Sequence, residues 1–214
     1  MRYYPVFLDL QGRACLVVGG GNVAERKVRS LLNAGASLTV VSPSLSPGLR
    51  DLAAASSFAV RNRPFDEQDL DGAFLVVAAT DDHALNASLA VLCRDRGILV
   101  NAVTSPEDST FIVPSVVEQG DLLLAVSTCG ASPALARNVR ERLEREFGPE
   151  YAALLDLLGR LRKRLAAAVS DEAARRRIYE TVIGSDVLAY LRQGDGDGAE
   201  RLVQRIVERE TGLR

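Results

Sequence analysis

A chain of 214 residues is long enough for one or two domains and a sizeable core. With 47% apolar residues, 25% charged residues and a net charge of −2, it has the make-up of a soluble globular protein, without a global attraction for nucleic acid or an anionic membrane. No apolar run reaches the ~18 residues that suggest a membrane span. The opening MRYYPVFLDL has neither a signal-peptide core nor a cleavage site, and Cys15, Cys93 and Cys129 are too scattered for a disulfide framework or a zinc knuckle. A cytoplasmic protein with reduced thiols is expected.

In chain order, the first half alternates short apolar runs with helical patterns. ACLVV (14–18) predicts a buried strand by its length and β-branched content, followed by a helix from about Val23 to Ala34 with Ala24, Val28 and Leu31 on one face and Gly35 as its stop. SLTVV (37–41) predicts a second strand ended by Ser42-Pro43, then a weak helix around 46–55 and a short strand near 58–61. FLVVAA (74–79), the helix HALNASLAVLCRDRG and ILVNAV (98–103) complete the series. Such alternation implies a parallel sheet with right-handed crossovers, a Rossmann-type domain.

Near residue 110 the pattern changes. FIVPSVVEQGDLLLAVST reads as two strands around a Gln-Gly-Asp turn (119–121). From Ser132 the chain is mostly helical, with Ser132 as N-cap and Pro133 at N1. GDGDG (194–198) is expected to break it before a final helix with Leu202, Ile206 and Arg209 at i, i+4 and i+7. The fold class expected is α/β: a Rossmann-type parallel sheet (1–113), a small β-containing dimerisation segment (114–147) and a C-terminal helical domain (148–214).

The first strand runs directly into G-x-G-x-x-A, carried by Gly19, Gly21 and Ala24. This turn opens a helix inside the first βαβ unit, as a dinucleotide fingerprint requires, so a pyrophosphate would sit on the helix N-terminus near Asn22 and Val23. The alternative is a structural strand-to-helix turn. The acidic residue that usually holds the ribose should fall near 41–42, where the sequence reads Val41-Ser42-Pro43-Ser44. Any ribose contact there comes from hydroxyl and backbone groups, which leaves NAD against NADP open.

PVFLDLQGRACLVVGGGNVAERKVRSLLNAGASLTVVSP, PFDEQDLDGAFLVVAATDD, VNAVTSPEDSTFIVPSVV and LLLAVSTCGASPALARNVRERLE together resemble the precorrin-2 dehydrogenase / sirohydrochlorin ferrochelatase family, which includes the N-terminal part of siroheme synthase. The resemblance covers nearly the whole chain and implies NAD-dependent oxidation of precorrin-2 to sirohydrochlorin. It also implies a homodimer and, in some members, insertion of Fe2+ as a further substrate to make siroheme. No methyltransferase domain is present in the sequence, so the chain resembles a stand-alone member.

The resemblance places Thr80 and Asn101 near the cofactor. Asp82 reads as the N-cap of the helix that follows. The family usually has N-x-V-D where this chain has Asn101-Ala102-Val103-Thr104, and that aspartate is the proposed acid/base. A threonine hydroxyl donates and accepts hydrogen bonds but takes up no proton at neutral pH. The change bears hardest on metal insertion, which must remove pyrrole protons. Ser105 and Asp108 are the neighbouring catalytic candidates, Asp108 alternatively being a solvated loop carboxylate.

VSTCGASP (126–133) offers Ser127 and Thr128 as a nest for substrate carboxylates, against the plainer reading of helix capping by Ser132. Arg137 and Arg140 are candidates for the same task, as is Arg175-Arg176-Arg177, a run that otherwise reads as a solvated face. His83 is the only histidine and is expected at the surface. No structural metal site has the spacing it needs. A bifunctional dehydrogenase/ferrochelatase using Asp108 and a non-enzymatic NAD- or tetrapyrrole-sensing module are the alternatives to a dehydrogenase.

Overall fold

Five strands, β1 (Ala14–Val18), β2 (Ser37–Val41), β3 (Ala59–Arg61), β4 (Leu75–Ala78) and β5 (Leu99–Ala102), pair in parallel in the order β3-β2-β1-β4-β5. They belong to a computed structural model that describes residues 3–211; the outermost ends of the expected 1–113 and 148–214 segments lie outside the described residues. The strands read as apolar runs because the sheet is covered on both faces. On one face Cys15, Val17, Leu38, Val40, Leu75 and Val77 pack with Ala24, Val28 and Leu31 of α1 (Asn22–Asn33) and Leu49 of α2 (Pro47–Ala55). On the other, Leu16, Val18, Val41, Val76, Ala78 and Val100 meet Leu89, Ala90 and Cys93 of α3 (His83–Asp95). Register sets the strand ends together: Val18 pairs with Val41 and Ala78, and Ala78 with Ala102. The order reverses between β1 and β4, so the loops that leave those two strands flank a switch point, where ligands of open α/β sheets bind.

Beyond β3, Asp69 has a fully buried carboxylate that bonds to the Arg61 and Arg63 guanidiniums, Arg63 at 2.6 and 2.8 Å, and accepts the Asp66 amide at 2.9 Å. Arg63 above all holds this carboxyl well below the usual carboxylate range, against its burial.

The chain divides into two compact units, Met1–Val113 and Pro114–Arg214. The second holds the antiparallel hairpin β6 (Ser115–Gln119) and β7 (Leu122–Val126), turning at Gly120-Asp121, with Gly120 at φ +58° as tight hairpins demand. It also holds α4 (Pro133–Glu146), α5 (Glu150–Ala168), α6 (Glu172–Ile183), α7 (Val187–Arg192) and α8 (Gly196–Thr211). Leu154, Leu157, Leu161 and Leu165 of α5 form a buried stripe against Ile178, Val182, Val187, Val203 and Ile206. The final helix differs from expectation. It begins at Gly196, inside GDGDG, because the Asp195 carboxylate accepts the Gly198 amide at 2.7 Å. Its buried face is Ala199, Val203, Ile206 and Val207, with Leu202 half-buried and Arg209 exposed.

Candidate functional site

The turn after β1 is built by close backbone approach. Gly19 lies at φ +125°, and a Cβ there would stand 2.3 Å from the Ala79 carbonyl oxygen at the end of β4. Gly20, an unspecified position of the fingerprint, is tighter still: its Cβ would meet the Ser44 carbonyl oxygen at 1.9 Å and Ser42 Oγ at 2.7 Å. The Gly19 amide donates to Val41 O at 2.9 Å and Ser46 N to Gly20 O at 2.7 Å, locking the segment after β2 onto the turn. At Gly21 the situation is opposite. A Cβ there meets nothing within 4 Å, and Gly21 caps α1 with no side-chain bond. The first α1 amide with a backbone acceptor is Glu25 N, to Gly21 O at 3.0 Å, so the amides opening the helix at Asn22 and Val23 are orphan donors, the kind of group to which anions bind at helix starts. Asn22 is exposed and Val23 half-buried.

Ser42 is buried, and its hydroxyl donates to Ser44 O at 2.7 Å, while Pro43 and Ser44 are exposed beside the turn. Glu25, missed by the sequence reading, accepts from Arg29 at 2.9 Å and from the Ser46 hydroxyl at 3.1 Å; these bonds, Arg29's first, hold its carboxyl below the ordinary range. These groups fit a dinucleotide: bare amides at a helix start, open space at Gly21, and the exposed Ser44 close to where a ribose acid is usual, whereas the Ser42 hydroxyl is turned inward.

At the ends of β4 and β5 the decisive residue is one the sequence reading passed over. Asn86, on α3 and fully buried, donates from Nδ2 to Thr80 O at 2.9 Å and to Thr104 Oγ1 at 3.0 Å. Its Oδ1 accepts the Thr80 hydroxyl at 2.8 Å and the Thr80 amide at 3.3 Å. Thr80 and Thr104 are thus brought together through one amide. Asp82 caps α3, accepting from Ala84 N at 2.9 Å and Leu85 N at 3.0 Å; His83 and Asp81 are exposed.

Asn101 points its amide at Phe111 O, 3.3 Å away, and supports the segment leaving the sheet. Asp108 faces α3: Arg94 lies 3.7 Å from its carboxylate and donates to its backbone carbonyl at 2.9 Å. Ser105 precedes the short 3-10 turn Pro106–Asp108 as its N-cap residue, without a side-chain capping bond.

In the second unit, the Thr128 hydroxyl donates to Ser132 O and accepts Ser132 N, both at 3.0 Å, and Ser127 Oγ accepts the Cys129 amide at 3.0 Å. Ser132 caps α4 by accepting Leu135 N at 3.2 Å. The loop hydroxyls therefore serve largely to hold the loop, with Cys129 at φ +54°. Arg137 is exposed, whereas Arg140 pairs with Glu144 at 2.6 Å and with Glu141 at 3.4 Å. Of the arginine run, Arg176 pairs with Glu180 and Arg175 donates to Val169 O, with Arg176 and Arg177 on an exposed face. Among the described residues no group of three or more His, Cys, Asp or Glu side chains is placed to hold a metal ion, and no helix is long and apolar enough to cross a membrane.

Three family models match: a putative NAD(P)-binding domain over residues 6–115, the central region of sirohaem biosynthesis proteins over 119–146, and the sirohaem synthase dimerisation region over 150–207. The dimerisation match falls on the helices α5–α8, whereas the sequence reading assigned dimerisation to 114–147. The siroheme synthase of Thioalkalivibrio sulfidiphilus is 42% identical over 213 residues, covering 100% of this chain and 43% of that protein. That of Methylococcus capsulatus is 39% identical over 203 residues, covering 95% and 43%. The chain thus spans less than half the length of the curated relatives it matches. Among solved structures, the precorrin-2 dehydrogenase SirC superposes with a TM-score of 0.76 at 28% identity, over 95% of this chain and 100% of that one. A putative NAD(P)-binding domain followed by the sirohaem central and dimerisation segments places this chain in the precorrin-2 dehydrogenase / sirohydrochlorin ferrochelatase family, which includes the N-terminal part of siroheme synthase.

Proposed function

We propose that the protein is a dehydrogenase of siroheme biosynthesis that oxidises precorrin-2 to sirohydrochlorin with NAD, working as a cytoplasmic homodimer. The observation that carries this reading is the uncapped start of α1 beside open space at Gly21, at the switch point between β1 and β4. In it, Asn22 and Val23 hold the pyrophosphate through their amides, and Ser44 and the backbone of Ser42-Pro43 face the ribose. Bound NAD supplies the hydride acceptor. In the second unit, taken by itself, Ser127, whose hydroxyl only accepts within the loop, and the exposed Arg137 are the groups for carboxylates of the tetrapyrrole. The proton released with the hydride goes to water, since Thr104 is exposed and carries no group that titrates near neutrality.

The same geometry favours a dehydrogenase over a chelatase. Thr104 offers a hydroxyl in place of the family's carboxylate, and Asp108 is held against Arg94. Purified protein given precorrin-2 and NAD should develop the sirohydrochlorin absorbance; folded, NAD-bound protein that leaves the spectrum unchanged refutes the reading. Thr104→Asp should gain Fe2+ insertion that the wild type lacks, and rapid insertion by the wild type that is lost in Asp108→Ala would instead establish a bifunctional enzyme.

A further inference from the structure

Asn86 does more than join two strands. β4 and β5 are already tied at this level by the Ala78–Ala102 pairing and by Val103 N donating to Ala78 O at 3.0 Å. All four hydrogen-bonding positions of the Asn86 amide are filled, at zero exposure. Burying an amide this deep is tolerated only when it is fully bonded, and an apolar side chain would fill the same space without that demand. Three of the bonds go to Thr80, which is thereby fixed in place. The fourth reaches outward to the hydroxyl of Thr104, an exposed residue that water could satisfy equally well.

That fourth bond has a direction. Nδ2 is a donor, so Thr104 Oγ1 accepts from it and must aim its own proton elsewhere. We propose that Asn86 is a positioning residue that presents the Thr104 hydroxyl as a hydrogen-bond donor to a carboxylate oxygen of the tetrapyrrole. This rests on the reading that the site takes a tetrapyrrole. Thr104 is then a specificity-setting donor rather than a weakened acid/base.

The test uses the full chain as wild type, Thr104→Val, Thr104→Ser, Asn86→Asp (same shape, no N–H donor) and Asn86→Asp/Thr104→Val. Sirohydrochlorin affinity is measured by absorbance titration, NADH affinity by fluorescence, thermal midpoint by calorimetry, and kcat and KM with precorrin-2. Thr104→Val should bind sirohydrochlorin about tenfold more weakly, the order expected for one hydrogen bond to a charged group. Thr104→Ser should stay within about twofold of wild type, since it keeps the donor. Asn86→Asp should show the Thr104→Val loss, and the double variant no further loss. NADH affinity should be unchanged in Thr104→Val. Wild-type sirohydrochlorin affinity in Thr104→Val, additive losses in the double variant, or an equal fall in NADH affinity would each overturn the proposal. If Asn86→Asp does not fold, a Thr104→Ser as weak as Thr104→Val also overturns it. Wild-type binding without turnover breaks the dehydrogenase reading alone, while the tenfold loss in Thr104→Val still supports the positioning role.

Discussion

Three helices start in three different ways. α3 begins at Asp82, which takes two backbone amides and sets a negative charge at the positive end of the helix; α4 begins at Ser132, which takes one. α1 begins at a glycine with no side chain to offer. The same peptide dipoles are present in each, but only α1 leaves its first turn bare, with room in front of Gly21. The anion site proposed here rests on what the sequence withholds. The loop before α4 has the glycine and hydroxyls of such a site, and it turns most of them inward.

Gly20→Ala should break this contrast most severely. Its Cβ would collide with backbone at Ser44, and an overpacked contact that cannot relax costs about 2–3 kcal/mol; chemical denaturation at the wild-type midpoint would refute the close approach. Gly21→Ala is the sharper probe. It should denature within about 0.5 kcal/mol of wild type, because nothing in the protein meets its Cβ. NAD affinity by calorimetry should nonetheless fall at least about tenfold, because the backbone must approach the pyrophosphate closely there. Unchanged NAD affinity would mean that the bare turn is not the phosphate site. Asp82→Ala and Ser132→Ala should each lose about 1 kcal/mol, the usual worth of a side-chain cap, as measured by urea denaturation. The smallest effect concerns Glu25. Bonds from Arg29 and Ser46 depress its folded pKa, so its stabilisation is present above its ordinary value of 4.5 and fades as pH falls through the folded value. A denaturation series descending through the carboxylate range should therefore be flatter for Glu25→Gln than for wild type.

Local pattern made much of the sheet legible. The strand at 14–18 is spelled out by an unbroken, β-branched apolar run, and the stripe of Ala24, Val28 and Leu31 by a period of 3.6 residues. The caps Asp82 and Ser132 were legible for the same reason, since each acts within three residues of itself. Asn86 was not. Its partners lie 6 and 18 residues away and meet only because β4 and β5 pair in one particular register. Gly20 was hidden inside a motif that leaves its position unspecified, although the run of three glycines was the available signal. The start of α8 was obscured because glycines normally end helices; here Asp195 supplies the cap, and Gly198 leaves room where a Cβ would stand 2.7 Å from the Tyr190 ring. Asp108 reads as either a catalytic or a solvated loop carboxylate, because its partner Arg94 sits 14 residues back in the chain, near the end of α3.

The buried hydroxyl of Ser42 has an evolutionary consequence. It occupies the place where many nucleotide-binding sheets keep their ribose acid, yet it is only 6% exposed and is bonded to the Ser44 carbonyl. A carboxylate at this position would be a desolvated charge facing another acceptor, a strongly unfavourable exchange. A single substitution there does not lead to the commoner recognition scheme. A lineage, or an engineer, seeking to retune cofactor choice would have to work at the exposed side chain of Ser44 or rebuild the whole segment at once.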